Sequence, residues 1–273
     1  MSSLNPVLLT SKEVDLNDVT AQVVVFDTNL TPELTLYANE NTSGKLIIFV
    51  KGDANLNVNF VAQPYSNYSL LWIYDEARES LVKENIELQA GAELKYYIAE
   101  VSQHQVKRQT EVNLVGSGAN LEFKSASIAT AIIEWQQHVV HHAQNTYAFV
   151  QNYGMVYENA QFLLDVKSHI LKGMKRSETH QQNRIMNMNE KPRARVFPQL
   201  IIDENDVKAS HAATVGQPDP NEIYYMQSRG LPYSEAIRLL SLGYIMPVLE
   251  IVKDEVLFES LRVLFEEKVL AHA

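Results

Sequence analysis

From Val7 to about Val215 the apolar residues come in short runs rich in Val, Ile, Leu, Tyr and Phe, broken by Gly, Asn, Asp and Ser. Runs of this length bounded by turn formers predict strands. They are read at Val23 to Phe26, Leu34 to Tyr37, Leu46 to Val50, Leu56 to Val61, Leu70 to Tyr74, Leu94 to Glu100 and Gln109 to Leu114. The first five start ten to fourteen residues apart, and no helix-period segment intervenes, which argues against a sheet built from βαβ units. An internal echo runs through the same region. Gly91, Ala92, Glu93 and Leu94 match Gly118, Ala119, Asn120 and Leu121, with a looser copy at Gly52, Ala54, Asn55 and Leu56. A turn residue followed by a buried strand start is what each coil of a solenoid needs, because a coil cannot bury its apolar face alone. Pattern alone leaves solenoid, sandwich and barrel open.

After Gly216 the period changes. Asp219, Pro220 and Glu222 supply an N-cap, a proline in the first turn and an early carboxylate, which predicts a helix that Gly230 stops. A second helix is expected from Pro232 or Ser234 to Leu249, kinked or broken at Gly243 and Pro247. A third follows the cap Asp254, where Val256, Leu257, Leu261, Leu264, Phe265 and Lys268 follow a helical period and Glu255, Glu259, Glu266 and Glu267 lie outside the apolar stripe. The expected domains are a β body over residues 1–218 and a helical one over 219–273.

Charge and composition narrow the chemistry. The chain carries 23 basic against 33 acidic residues, a formal charge of -10, which disfavours nucleic acid and anionic lipid as partners. The densest basic stretch, Lys172 to Arg176 with Arg184, Lys191, Arg193 and Arg195, is interleaved with acids and reads as a solvated face. There is no cysteine, so any sulfur chemistry borrows its thiolate from a partner. Met1 to Thr10 lacks the charged and apolar regions of a secretion signal, and no apolar run is long enough to span a bilayer. A cytoplasmic protein with no membrane partner is expected.

Phosphate-binding loops, nucleophile elbows and zinc-protease helices are absent from the sequence. His138, His141 and His142 cluster in one strand, where alternation sends His138 and His142 to one face; they read as a polar face rather than a metal pair. Glu100, Glu111 and Glu122 are the nearest thing to the carboxylate row of a β-solenoid carbohydrate-active enzyme, and they read as a solvated edge. In the segment Asp206-Val207-Lys208-Ala209-Ser210-His211-Ala212-Ala213-Thr214-Val215-Gly216-Gln217, alternation puts Ser210 and Ala212 on one face and Ala209, His211 and Ala213 on the other. The small neighbours leave the imidazole unobstructed.

This segment resembles the Asp-Val-Lys-Cys-Ser-His-Gly-Ala-Thr-Val-Gly-Gln run of the SufB/SufD family, and most resembles SufD-type chains. Upstream, Gly173, Met174, Lys175 and the run from Gln182 through Asn183 and Arg184 are similar to the family's turn, and Pro198, Gln199 and Leu200 to its Lys-Pro-Gln-Leu strand. Downstream stand Asp219, Tyr224, Tyr225 and then Ser228, Arg229 and Gly230. Three departures stand out: Ala209 replaces the cysteine, Ala212 replaces a glycine, and the family's helical N-terminal domain has no counterpart.

The resemblance implies a right-handed parallel β-helix with a small C-terminal helical domain. It implies a non-catalytic scaffold of SUF iron-sulfur cluster assembly, which pairs with a SufB-like subunit or a second copy through the β-helix. It further implies that the helical domain binds SufC, an ABC-type ATPase, for which Glu255 and Glu259 are the expected contacts. No cofactor is expected to be held tightly by this chain alone, although a transient iron-sulfur cluster fits the complex. His211 is the expected cluster or iron ligand. Gly173, Asn183, Arg184, Pro198, Gln199, Lys208, Ser210, Thr214, Gly216, Arg229 and Gly230 are the other positions that match the family's motifs.

Overall fold

The computed structural model describes residues 7–271 apart from 20–21, 31, 53, 76–79, 103, 158 and 189–192, so Lys191 lies outside the described residues. Two parallel sheets face each other. The odd sheet runs in the order β1 (Val7–Leu9), β3 (Val23–Asp27), β5 (Ser43–Lys51), β7 (Asn67–Tyr74), β9 (Glu93–Glu100), β11 (Asn120–Ala129), β13 (Tyr147–Val156), β15 (Glu178–Asn187) and β17 (Lys208–Gly216). The even sheet is β2 (Glu13–Asp15), β4 (Glu33–Ala38), β6 (Ala54–Ala62), β8 (Ser80–Leu88), β10 (Val106–Leu114), β12 (Ile132–His141), β14 (Gln161–Ile170) and β16 (Ala194–Ile202). The chain alternates between them and forms a β-solenoid of about seven turns. The parallel pairing excludes the antiparallel sandwich that the pattern had left open.

Alternation decides which side chains enter the solenoid. In β10 the buried residues are Val106, Arg108, Thr110, Val112 and Leu114, while Lys107 and Glu111 face solvent. At one corner successive coils place an equivalent residue in the left-handed region, Asn41, Tyr65, Gly91, Gly118, Asn145 and Arg176, and the last of these corners adds Gly173. Each of the equivalent residues donates its N–H to the next coil, as Gly91 does to Ser117 O at 3.0 Å and Arg176 to Asp206 O at 2.6 Å. The residue that follows is small and buried, as at Ser66, Ala92, Ala119, Thr146 and Ser177. The Gly-Ala echo is this corner at two of its six coils. Gly52 belongs to the other corner, between β5 and β6, so its likeness to the echo does not reflect an equivalent position.

The interior is apolar through the early coils and becomes polar toward the last ones. One inward column of the odd sheet reads Ile48, Trp72, Ile98, Ser125, Asn152 and Asn183 in coil order. Its neighbour reads Leu70, Tyr96, Phe123, Val150, Gln181 and His211. Between these regimes lies a fully buried ion cluster. Arg108 pairs with Glu84 at 2.6 Å, lies 3.7 Å from Glu100, and stacks over the Tyr74 ring at 4.3 Å. Thr110 and Tyr96 donate to the two oxygens of Glu84. Burial raises the Glu100 carboxyl above its ordinary range against the pull of Arg108.

The last two helices lie on the outer face of the odd sheet, and the first packs against the second without burying a residue of its own. Helix α1 (Pro220–Ser228) begins as expected, with Asp219 accepting from Asn221 N–H at 2.8 Å, and ends at Gly230 with φ +91°. Helix α2 (Tyr233–Ile245) runs through Gly243 and gives way to a 3-10 turn (Met246–Leu249) at Pro247, so only the proline breaks it. Helix α3 (Glu255–Leu270) is capped by Asp254, which accepts from Leu257 N–H at 2.8 Å. Its stripe of Leu257, Leu261 and Phe265 joins Leu71, Ile73, Tyr97 and Met155 of the sheet in a second core. Val256, part of the expected stripe, instead stays exposed on α3, and α2 and α3 cover the outer face of the sheet rather than the open end of the solenoid. Polar contacts fasten them: Lys124 meets Glu250 at 2.7 Å, Lys268 meets Asp75 at 2.7 Å, and the Tyr97 hydroxyl bonds both Glu122 and Glu250. No helix among the described residues is long and apolar enough to cross a membrane.

Two stability predictions follow from the buried polar groups. Arg108→Met leaves Glu84 buried without its counter-charge and is expected to cost about 3–5 kcal/mol in urea unfolding. Combining it with Glu84→Gln is expected to recover part of that loss, and strictly additive costs would show that the pair is not coupled. His141 is buried, with Nδ1 at 2.7 Å from the Thr146 hydroxyl and no partner for Nε2. Burial pushes its pKa down to about 4, with His142 and His169 adding to the shift. A histidine with a depressed folded pKa contributes its full stability above its unfolded pKa of about 6.5 and loses it as pH falls toward 4, a change of roughly 3 kcal/mol. His141→Gln is therefore expected to flatten the fall in urea midpoint between pH 6.5 and 4, and an identical slope in the variant would remove His141 as its source.

Candidate functional site

Among the described residues the solenoid stops at its last coil, where β17 pairs with β15 alone and β16 with β14 alone, and all nine residues of β17 are exposed. Pro198 sits in β16, an edge position that tolerates the missing N–H. Phe197, Ile201, Ile202 and Val215 are exposed apolar residues of these two strands. An edge with free backbone groups and apolar side chains is a pairing surface.

His211 stands at the mouth of this end. Its register partner Gln181 faces the interior, so Ala209, His211 and Ala213 share the inward face as alternation predicts, with Ser210 and Ala212 outward. The imidazole makes no hydrogen bond or ion pair among the described residues and is exposed. Below it Gln181 donates to Ser168 Oγ at 2.9 Å and to Gln199 O at 3.1 Å, while its own Oε1 has no partner. Asn152 donates to Asn183 at 2.8 Å and to Gln137 at 2.9 Å, and Asn183 donates to Ala212 O at 3.3 Å. The floor under His211 is thus a ladder of buried amides. Ala209 lies on the same inward face, so a cysteine at that position would have shared the mouth with His211.

The other motif positions divide by role. Gly173 has φ +88° and its N–H meets Glu204 at 3.0 Å, so it builds the turn that feeds β15. Lys208 pairs with Glu178 at 2.7 Å, Ser210 bonds His180 Nδ1 at 2.7 Å, and Gln199 donates to Asp165 at 2.8 Å. These contacts pin β16 and β17 to the coil beneath. Arg184 and Thr214 face each other in register on the outer side of β15 and β17, and Gly216 ends β17 with open space where a Cβ would lie. Arg229 stacks over Tyr225 at 5.3 Å, and Gly230 closes α1; both lie away from His211 along the chain and in another element. Glu255 and Glu259 are exposed on α3, with Glu259 held by Arg262 at 2.8 Å.

The histidine cluster of β12 divides between surfaces. His141 points into the core, His142 bonds Asn113 Oδ1 at 2.9 Å, and His138 stacks on His169 with ring centroids 6.5 Å apart. Among the described residues no three His, Cys, Asp or Glu groups converge to hold a metal ion. The acidic row also separates, contrary to the reading as one solvated edge. Glu100 is inside the solenoid, Glu111 is outside the even sheet, and Glu122 lies between Lys95 and the helices. Their eleven-residue steps do not match the coil length, so no shared face results. Sequence reading also passed over the interior polar groups. Their signal was present in β10, where Arg108 and Thr110 occupy the inward positions between Val106 and Val112.

Comparison with known proteins adds the family. Residues 21–244 match the model described as SUF system FeS cluster assembly, SufBD core domain. The chain is 29% identical over 163 residues to the iron-sulfur cluster assembly protein SufD of Bacillus subtilis, an alignment covering 59% of this chain and 37% of that protein. It is 32% identical over 93 residues to SufD of Escherichia coli, covering 34% of this chain and 21% of the relative. A SufBD family protein of Mycobacterium tuberculosis matches at 22% over 199 residues, 70% of this chain and 23% of that protein. The matches thus cover from about a fifth to little more than a third of the length of these curated relatives. With an open-ended parallel solenoid, the motif strand at its mouth and a core-domain match over most of its residues, this chain belongs to the SufB/SufD family of SUF iron-sulfur cluster assembly proteins.

Proposed function

We propose that this chain is a non-catalytic scaffold subunit of SUF cluster assembly, SufD-like in character, which works in the cytoplasm as one half of a dimer. The observation that carries the reading is the exposed last coil. β17 offers a complete unpaired edge beside four exposed apolar side chains, and an edge of this kind is completed by strands of another chain. The resemblance names a SufB-like subunit or a second copy as that chain.

In such a dimer His211 would face the partner. A neutral imidazole is a good iron ligand, and in a chain without cysteine it is the softest donor at the mouth. The iron and sulfide are cargo built at the junction, with thiolate supplied from the partner side. His211→Ala removes an exposed side chain with no bonds of its own, so folding and dimerisation are expected to be unchanged. Cluster reconstitution on the complex, followed by its visible absorption, is expected to fall several-fold. Reconstitution at the parental rate and yield would refute the assignment.

The helical domain is the proposed seat of a SufC-like ATPase. Its apolar stripe is spent on the solenoid, so the free surface is the opposite side of α3, where Glu255, Val256, Glu259 and Val263 are exposed. A small apolar centre with acidic flanks suits a partner with complementary basic groups. Reversing Glu255 and Glu259 to Lys together is expected to weaken co-purification with SufC at least tenfold and to leave the dimer intact; unchanged retention would move the docking site off this face.

A further inference from the structure

The outer face of the even sheet carries a groove that the scaffold role does not use. Its cavity volume is about 550 Å³, within the range typical of ligand pockets. Register places two polar columns side by side along its floor. One contains Asn57, Lys83, Gln109, Gln136 and Asp165, and the other Asn59, Asn85, Glu111, His138 and Lys167. The columns on either side are interrupted by apolar residues, at Leu81 and Leu163 on one flank and at Val61 and Val140 on the other. Five successive coils with no apolar residue in two adjacent columns therefore make a strip about 7 Å wide and roughly 20 Å long.

The groups on this strip are largely unspent. Gln109 donates to Gln136 at 3.0 Å, and Asp165 accepts from Gln199. The side chains of Lys83, Lys167, Asn57, Asn59 and Asn85 make no hydrogen bond or ion pair among the described residues. The Nε2 atom of His138 is shut off from solvent and has no partner, so this nitrogen is not one of the groups the groove offers. Burial and the neighbouring Lys167 hold this imidazole below its ordinary pKa, so it stays neutral at neutral pH and can either donate or accept.

We propose that this groove binds a short neutral oligosaccharide laid along the solenoid axis. Charge selects against the alternatives. Lys83 and Lys167 are balanced by Glu111 and Asp165, so a polyanion or a polycation meets like charge on the same floor. The floor lacks the apolar pockets that alternate side chains of an extended peptide would fill. Hydroxyl groups that donate and accept match amides that do the same, and carboxylates and ammonium groups strengthen such bonds.

The test is titration calorimetry of the full chain with cellohexaose, xylohexaose and maltohexaose, with hexagalacturonate and a neutral glycine-serine decapeptide as comparators. At least one neutral hexaose is expected to bind saturably, and Gln109→Ala with Gln136→Ala is expected to weaken it on the order of tenfold with an unchanged circular dichroism spectrum. Asn85→Ala, a single surface change, provides the same readout should the double variant fold poorly. The proposal is overturned if no neutral hexaose binds, if the groove variants bind as the parent does, or if hexagalacturonate or the decapeptide binds as tightly.

Discussion

Everything in this molecule depends on one coil completing the next. A parallel strand satisfies its backbone and buries its inward side chains only between two neighbours, so stability passes along the stack rather than residing in any one coil. The left-handed corner shows how closely the stack is keyed. Each of Asn41, Tyr65, Gly91, Gly118, Asn145 and Arg176 turns its N–H toward the next coil, and the small residue after it slides beneath the corner. The same rule makes the last coil incomplete. β17 is bonded on one side only, and its exposure follows from its position in the stack as much as from its composition.

The interior changes in step with that geometry. Far from the mouth, Ile48, Trp72 and Ile98 fill a column with hydrocarbon and indole; near the mouth Ser125, Asn152 and Asn183 take the same column. Buried amides require mutual hydrogen bonds, and Asn152 supplies them in both directions. The ladder fixes the last coils in register where hydrophobic packing has thinned, and it presents a polar floor beneath His211. The Arg108 cluster is a different device. Its charges are sealed in the core, where loss of one partner costs more than the pair contributes.

Much of this was legible in the chain. Alternation located the strands, and the Asp219 and Asp254 caps located two helix starts, because those signals are local and carry their own physics. Alternation also placed His211 and Ser210 on opposite faces. What could not be read was set by coil length. Glu100, Glu111 and Glu122 look periodic in sequence but fall on three surfaces, because the coil repeat is longer than two of their steps. The corner was visible at Gly91 and Gly118 and hidden where Tyr65 and Arg176 adopt the same backbone without a glycine. Nothing in the sequence says which neighbour consumes the apolar stripe of α3; the outer face of the odd sheet does.

The open end of the solenoid, proposed above to be completed by another chain, can be probed at the backbone. Hydrogen exchange at the backbone amides of Lys208 to Gly216 reports on it directly, since β17 is an edge strand whose amides are bonded at most toward β15. The account predicts that exchange across β17 slows when a SufB-like subunit is added, or as the concentration of the chain alone is raised. Exchange that stays fast across β17 under both conditions would contradict it.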